Sequence, residues 1–105
     1  VSAANKFSVD FTAEARAEMK RLRAFEERLV AQAIVTGLTY QPFVANRNRK
    51  PLVGVKADFS FRPPLWELRV NDLRVFYDGN EAVRTITIRA VRRKGPMQTT
   101  QEVLL

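Results

Sequence analysis

The sequence predicts an α+β fold in which two N-terminal helices pack on one face of an antiparallel sheet. Residues 13–36 place apolar side chains at helical spacing, with no glycine or proline among them. Residues 65–91 instead alternate apolar and polar side chains around two short turn sequences. Nothing else in the chain offers the helices an apolar surface, so their stripe should bury on the sheet.

The elements follow in order. Phe7, Val9 and Phe11 alternate with Ser8 and Asp10, the period of a half-buried strand. Thr12 offers a hydroxyl N-cap, and Glu14 suits the first turn of the helix that follows. Ala15, Met19 and Leu22 share one helical face, as do Phe25, Leu29 and Ala33, and Val30 and Ile34. The apolar face shifts between Arg23 and Phe25, which predicts two packed helices over residues 13–37 rather than one rod. Gly37 is the expected C-cap, and Pro42 prevents continuation. Residues 38–64 read as irregular, punctuated by Pro42, Pro51, Gly54, Pro63 and Pro64, with a basic run at 46–50. Strands at 65–70 and 73–77 flank the turn Asn71-Asp72, and a turn at 78–81 leads to a third strand at 82–91.

With 105 residues, the chain (1–105) is expected to be a single domain. Hydrophobic residues at 46% and charged residues at 28% describe a globular chain rather than a disordered one. No apolar run approaches the roughly 20 residues needed to span a bilayer. The first seven residues lack the apolar stretch of a signal peptide, so a cytoplasmic protein with no membrane partner is expected. There is no Cys and no His, which removes disulfides, thiolate and imidazole metal ligands, and the usual neutral-pH base. No cofactor or metal is expected. Chemistry would fall to Asp, Glu, Lys, Arg, Tyr, Ser or Thr.

The net charge is +7, and Arg outnumbers Lys by 13 to 5. A guanidinium binds phosphate or carboxylate through two parallel hydrogen bonds, so the excess favours a polyanionic or acidic partner. Alternation places these charges. Trp66, Leu68, Val70, Leu73, Val75, Tyr77, Ile86, Ile88 and Ala90 are assigned to the helix-covered face. The opposite face collects Glu67, Arg69, Arg74, Phe76, Arg89 and two threonines, with Arg92, Arg93 and Lys94 at its rim. Three arginines and an exposed aromatic form a surface suited to single-stranded nucleic acid, with Glu67 its one acid. A solvated polar face is the other reading of the same pattern.

The segment WELRVNDLRVFY (66–77) resembles the signature hairpin of the RelE/ParE toxins of toxin–antitoxin pairs. Its pattern is an aromatic, a polar–apolar–basic triplet, a tight turn, then Arg, two hydrophobics and Tyr. NRKPL (48–52) and AVRRKG (90–95) are similar to flanking segments of that superfamily. The resemblance implies a fold related to microbial ribonucleases and a cognate antitoxin as partner. For RelE-type members it implies metal-free mRNA cleavage on the ribosome. For ParE-type members it implies inhibition of DNA gyrase, and a degenerate antitoxin-binding member is a third possibility.

Carried over residue by residue, the resemblance implies Glu67, Arg69, Arg74 and Lys94 as catalytic candidates, with Arg93 the alternative to Lys94. Arg69, Arg74, Phe76, Arg89, Arg92 and Arg93 would contact RNA. Ribonuclease members typically carry lysines where this chain has Glu67 and Arg69, and their C-terminal Tyr or His has no counterpart after Lys94. Arg69 is a poor base, since guanidinium scarcely deprotonates. Glu67 would either activate the ribose 2′-OH or pair with a neighbouring arginine.

Overall fold

The structure is a computed structural model and describes residues 5–105. Residues 1–4, the start of the segment read as lacking a signal peptide, lie outside the described residues. Strand β1 (Ser8–Phe11) leads into α1 (Ala13–Lys20) and α2 (Ala24–Leu38), followed by β2 (Arg49–Leu52), β3 (Leu65–Val70), β4 (Leu73–Asn80), β5 (Thr85–Arg93) and α3 (Thr100–Leu104). The five strands form one sheet in the order β1-β5-β4-β3-β2. β1 runs parallel to β5, and every other pairing is antiparallel. The α+β class and the helix-covered sheet are as the sequence predicts, and the sheet is mixed through β1. No helix among the described residues is long and apolar enough to cross a membrane.

The helices begin where the sequence places them. The Thr12 hydroxyl accepts the Ala15 N–H at 3.1 Å, satisfying one free donor of the first turn. The chain breaks at residues 21–23 and restarts with Glu26 accepting the Arg23 N–H at 3.2 Å. Gly37 is not the cap: it lies inside the last turn of α2, and Thr39 closes the helix with right-handed geometry. Val30, Ile34 and Leu38 from α2 meet Trp66, Leu68, Val75, Tyr77, Ile86 and Ile88 in the main core.

Two elements were not expected. β2 lies within the segment read as irregular, and it adds to the outer edge of β3. Its Pro51 lacks an N–H, which an edge position tolerates. α3 is capped by Thr99, whose hydroxyl accepts from Glu102 N while the Glu102 carboxylate accepts from Thr99 N. With Val55, Ala57, Phe59 and Phe61 it covers a second apolar cluster of Leu65, Phe76, Ala90, Val103 and Leu104. The sheet is therefore covered on both faces over much of its area.

Ala90 belongs to this second cluster and not to the helix side. Tyr77 pairs with Ile88 but Phe76 pairs with Ala90, so Arg89 is an extra residue that inverts the alternation. β4 also runs past the expected turn to Asn80. It can do so because position 79 is Gly: a Cβ there would lie 2.4 Å from the Thr85 carbonyl oxygen and 2.7 Å from the Phe43 ring.

Candidate functional site

β3 presents Glu67 between Lys50 of β2 and Phe76 of β4, its partners in register. Its carboxylate is buried, at 3% exposure. Lys50 Nζ stands 3.8 Å from Oε1, and Arg74 Nε stands 3.9 Å from Oε2. The Thr100 hydroxyl, delivered by α3, donates to Oε2 at 3.3 Å. One carboxylate thus has a cation on either side and a hydroxyl over it.

Arg74 is buried and held locally. Its Nη1 donates to the carbonyls of Asn71 and Leu73 at 2.7 and 2.8 Å, so the guanidinium folds back on its own turn. Arg69 sits opposite Arg74 in the strand pairing. Like charges placed across a ladder repel, and Arg69 is exposed with no carboxylate partner among the described residues. An anion bridging this pair would relieve the repulsion.

The other expected contacts are placed differently. Phe76, expected as an exposed aromatic, has no exposed surface: α3 and the 55–61 segment bury it. Arg89 makes a two-point pair with Asp78, at 2.9 and 3.2 Å. Arg92 binds Glu18 at 2.9 Å and Asp58 at 2.6 Å, donates to the Val103 carbonyl, and lies over the Phe59 ring. Burial opposes the charge on Arg92, but its hydrogen bonds to the Asp58 and Glu18 carboxylates outweigh it and raise its pKa. Glu67 is therefore not the one acid of this face: Asp78, Glu18 and Asp58 neutralise arginines there too. Lys94 follows β5, its N–H donating to the Asp72 carbonyl at 2.7 Å.

Arg93 points away from this group, binding Glu26 at 2.8 Å and Asp72 at 2.6 Å. The Arg93 hydrogen bond holds the Glu26 carboxyl below its usual range. A lowered carboxyl favours the folded state above its unfolded pKa, and that contribution disappears as pH falls through the folded value. Glu26→Gln should therefore flatten the acid limb of stability, from the ordinary carboxylate range downwards. Urea midpoints measured across that range check it, and an unchanged limb would mean the pair is uncoupled from folding.

Sequence reasoning gave Lys50 and Thr100 no role at this site. Lys50 lay in an apparent loop, and only the β2 register brings it to Glu67. Thr100 arrives from the chain's end, 33 residues away. What results is a carboxylate flanked by lysine and arginine, a free arginine two residues along β3, and Lys94 beside the turn. Such a set can take up a proton and stabilise an anion.

No family model matches the chain, and no curated protein does. Solved structures match its fold. The RelBE2 toxin–antitoxin complex of Mycobacterium tuberculosis gives a TM-score of 0.66 at 22% identity, over 85% of this chain and 99% of that one. The archaeal RelE–RelB complex of Pyrococcus horikoshii gives 0.66 at 21% identity, over 87% and 98%. The isolated RelE toxin of E. coli gives 0.65 at 15% identity, over 91% and 93%. The chain has the fold of these RelE toxins.

Proposed function

We propose that this chain is the toxin of a toxin–antitoxin pair, a cytoplasmic, metal-independent endoribonuclease that cuts mRNA on the ribosome and so blocks translation. The observation that carries the reading is Glu67 held between Lys50 and Arg74, next to the unpaired Arg69, on a RelE toxin fold. Glu67 takes the proton of a ribose 2′-OH. The 2′-oxygen attacks phosphorus and forms a cyclic phosphate, while the bond to the 5′-oxygen breaks and Lys94 protonates that leaving oxygen. Arg69 and Arg74 meet the extra negative charge on phosphorus. Lys50 supplies a lysine from β2 where RelE-type members have one on the strand that corresponds to β3. Because Thr100 covers the carboxylate, this reading requires α3 to move aside for substrate to reach Glu67.

Two of the similar structures are complexes with an antitoxin, which supports a cognate antitoxin for this chain. Against a net charge of +7, an acidic segment that folds on binding suits the surface.

Binding to a single-stranded RNA should fall with salt at a log–log slope near −2. That follows from about −0.7 for each ground-state contact made by Lys50, Arg69 and Lys94, since Arg89 is paired with Asp78 and Arg74, held by its own turn, meets phosphate only as charge builds on phosphorus. Filter binding at several salt concentrations, beside a cleavage assay on ribosome-bound mRNA, tests this. A slope near zero with no cleavage overturns the ribonuclease reading. The second reading, a non-catalytic toxin acting on DNA gyrase, is favoured by the internal pairing of Arg74, Arg89, Arg92 and Arg93. Inhibition of supercoiling by purified protein would select it.

A further inference from the structure

We infer that the groove between α2 and the β3–β4 turn is a nucleobase-reading subsite, which receives a base of the RNA strand whose phosphate Arg69 holds. The inference rests on the ribonuclease reading above and adds the source of its sequence preference. The groove has a volume of about 480 Å³, and its walls include Leu29, Gln32 and Ala33 of α2, Asn48 before β2, Arg69 and Asn71. That volume is within the usual range for small-ligand clefts.

The chemistry of the walls selects the ligand. No carboxylate lines the groove, and Gln32, Asn48 and Asn71 each present a side-chain amide. None of these amides has a hydrogen-bond partner among the described residues, although the Asn48 and Asn71 backbones do. An amide offers a donor and an acceptor side by side, which a base edge satisfies and a phosphate does not. Leu29 is 40% exposed, so α2 adds an apolar surface for the face of a ring. Where an acidic peptide would meet a single cation and three neutral amides, an RNA nucleotide engages both kinds of group.

Position fixes the register. Arg69 lies two residues beyond Glu67 on the same strand and the same side, a displacement of about 7 Å. A phosphate at Arg69 therefore lies a nucleotide-sized step from the carboxylate, and its base reaches the groove round the end of β3, since α2 packs on the opposite face of the sheet. β2 stops short here: the Asn48 carbonyl accepts the Arg69 N–H at 2.8 Å, and β2 begins at the next residue. Beyond that bond Val70, the last residue of β3, has no β2 residue beside it.

The test uses the full chain and 2′-O-methyl hexamers of adenosine, cytidine or uridine, which cannot be cut. Wild-type protein should rank the three over a range of about 10-fold or more, since a good amide–base pair discriminates by roughly 5- to 150-fold. The double variant Gln32→Ala with Asn71→Gly should compress that range to within about 3-fold, with an unchanged salt slope. Glycine suits position 71, where φ is 56°, and alanine suits an exposed helical site, so the variant should fold. Arg69→Ala should weaken all three hexamers and flatten the slope without reordering them. Wild-type binding without discrimination, or discrimination that survives the double variant, overturns the subsite and leaves the ribonuclease reading standing. Failure of wild-type protein to bind any hexamer overturns the subsite, and overturns the ribonuclease reading too when ribosome-bound mRNA is left uncut.

Discussion

Trp66→Ala is expected to destabilise the fold by about 3–5 kcal/mol, the usual range for truncating a buried large aromatic. The indole is 7% exposed and anchors a cluster of rings. It stacks on Tyr77, its partner across the β3–β4 ladder, with centroids 6.3 Å apart and planes at 30°. It meets Phe43 edge-on at 5.8 Å, and Phe43 meets Phe7 in the same way at 5.8 Å. Each such contact contributes roughly 0.5–1.5 kcal/mol beyond its buried area. Phe43 comes from the connection between α2 and β2, so losing the indole also loosens that segment's hold on the sheet. An open groove of about 430 Å³ already borders Trp66 and Phe43. Water can therefore enter the vacated space, which places the effect nearer 3 than 5 kcal/mol. The check is a urea midpoint lowered at unchanged slope. A shift under about 1 kcal/mol would mean the ring cluster contributes little.

That cluster was half legible in the sequence. Alternation alone put Trp66, Leu68, Val75, Ile86 and Ile88 on the helix side, because a strand's side chains have no freedom to do otherwise. Alternation fails wherever one residue is inserted, and Arg89 is such an insertion. It moved Ala90 to the opposite face, and no local feature of residues 85–91 signals the bulge. β2 escaped notice for a different reason. It is four residues long, basic and interrupted by Pro51, so its pairing with β3, not its propensity, makes it a strand.

The site was legible in composition but not in arrangement. Glu67, Arg69 and Arg74 share a face as alternation requires. Whether a cation is free or spent depends on partners far along the chain, which periodicity cannot see. Arg92 finds Glu18 at a separation of 74 residues and Asp58 at 34. Arg89 finds Asp78 across one turn. Four arginines that looked like a phosphate-binding surface are thereby engaged within the chain, and Arg69 is the one that is not. Lys50 and the covering helix α3 enter for the same reason, through contacts formed only once the sheet and its second apolar cluster are assembled.

Replacing Glu67 with Gln should lower RNA cleavage by roughly 10²–10⁴-fold, the contribution of a positioned general base, while RNA binding stays within about 2-fold. Glutamine keeps the length and planarity of the side chain, so the Thr100 hydroxyl retains an acceptor in place of Oε2. The electrostatic loss to the fold is small. Lys50 lies 3.8 Å away with its side chain 55% exposed, so water takes over its charge. Arg74 keeps its carbonyl partners at Asn71 and Leu73. Folding should therefore survive, and a loss of activity would report chemistry rather than structure. Arg74→Ala serves as the contrast, since it removes a guanidinium that both stabilises charge on phosphorus and ties down the turn. It should weaken cleavage and stability together. If Glu67→Gln cuts RNA at the wild-type rate while Arg74→Ala does not, the carboxylate is a structural counter-ion and proton transfer must come from elsewhere. If Glu67→Gln abolishes cleavage at unchanged melting temperature, the buried carboxylate between Lys50 and Arg74 is the base.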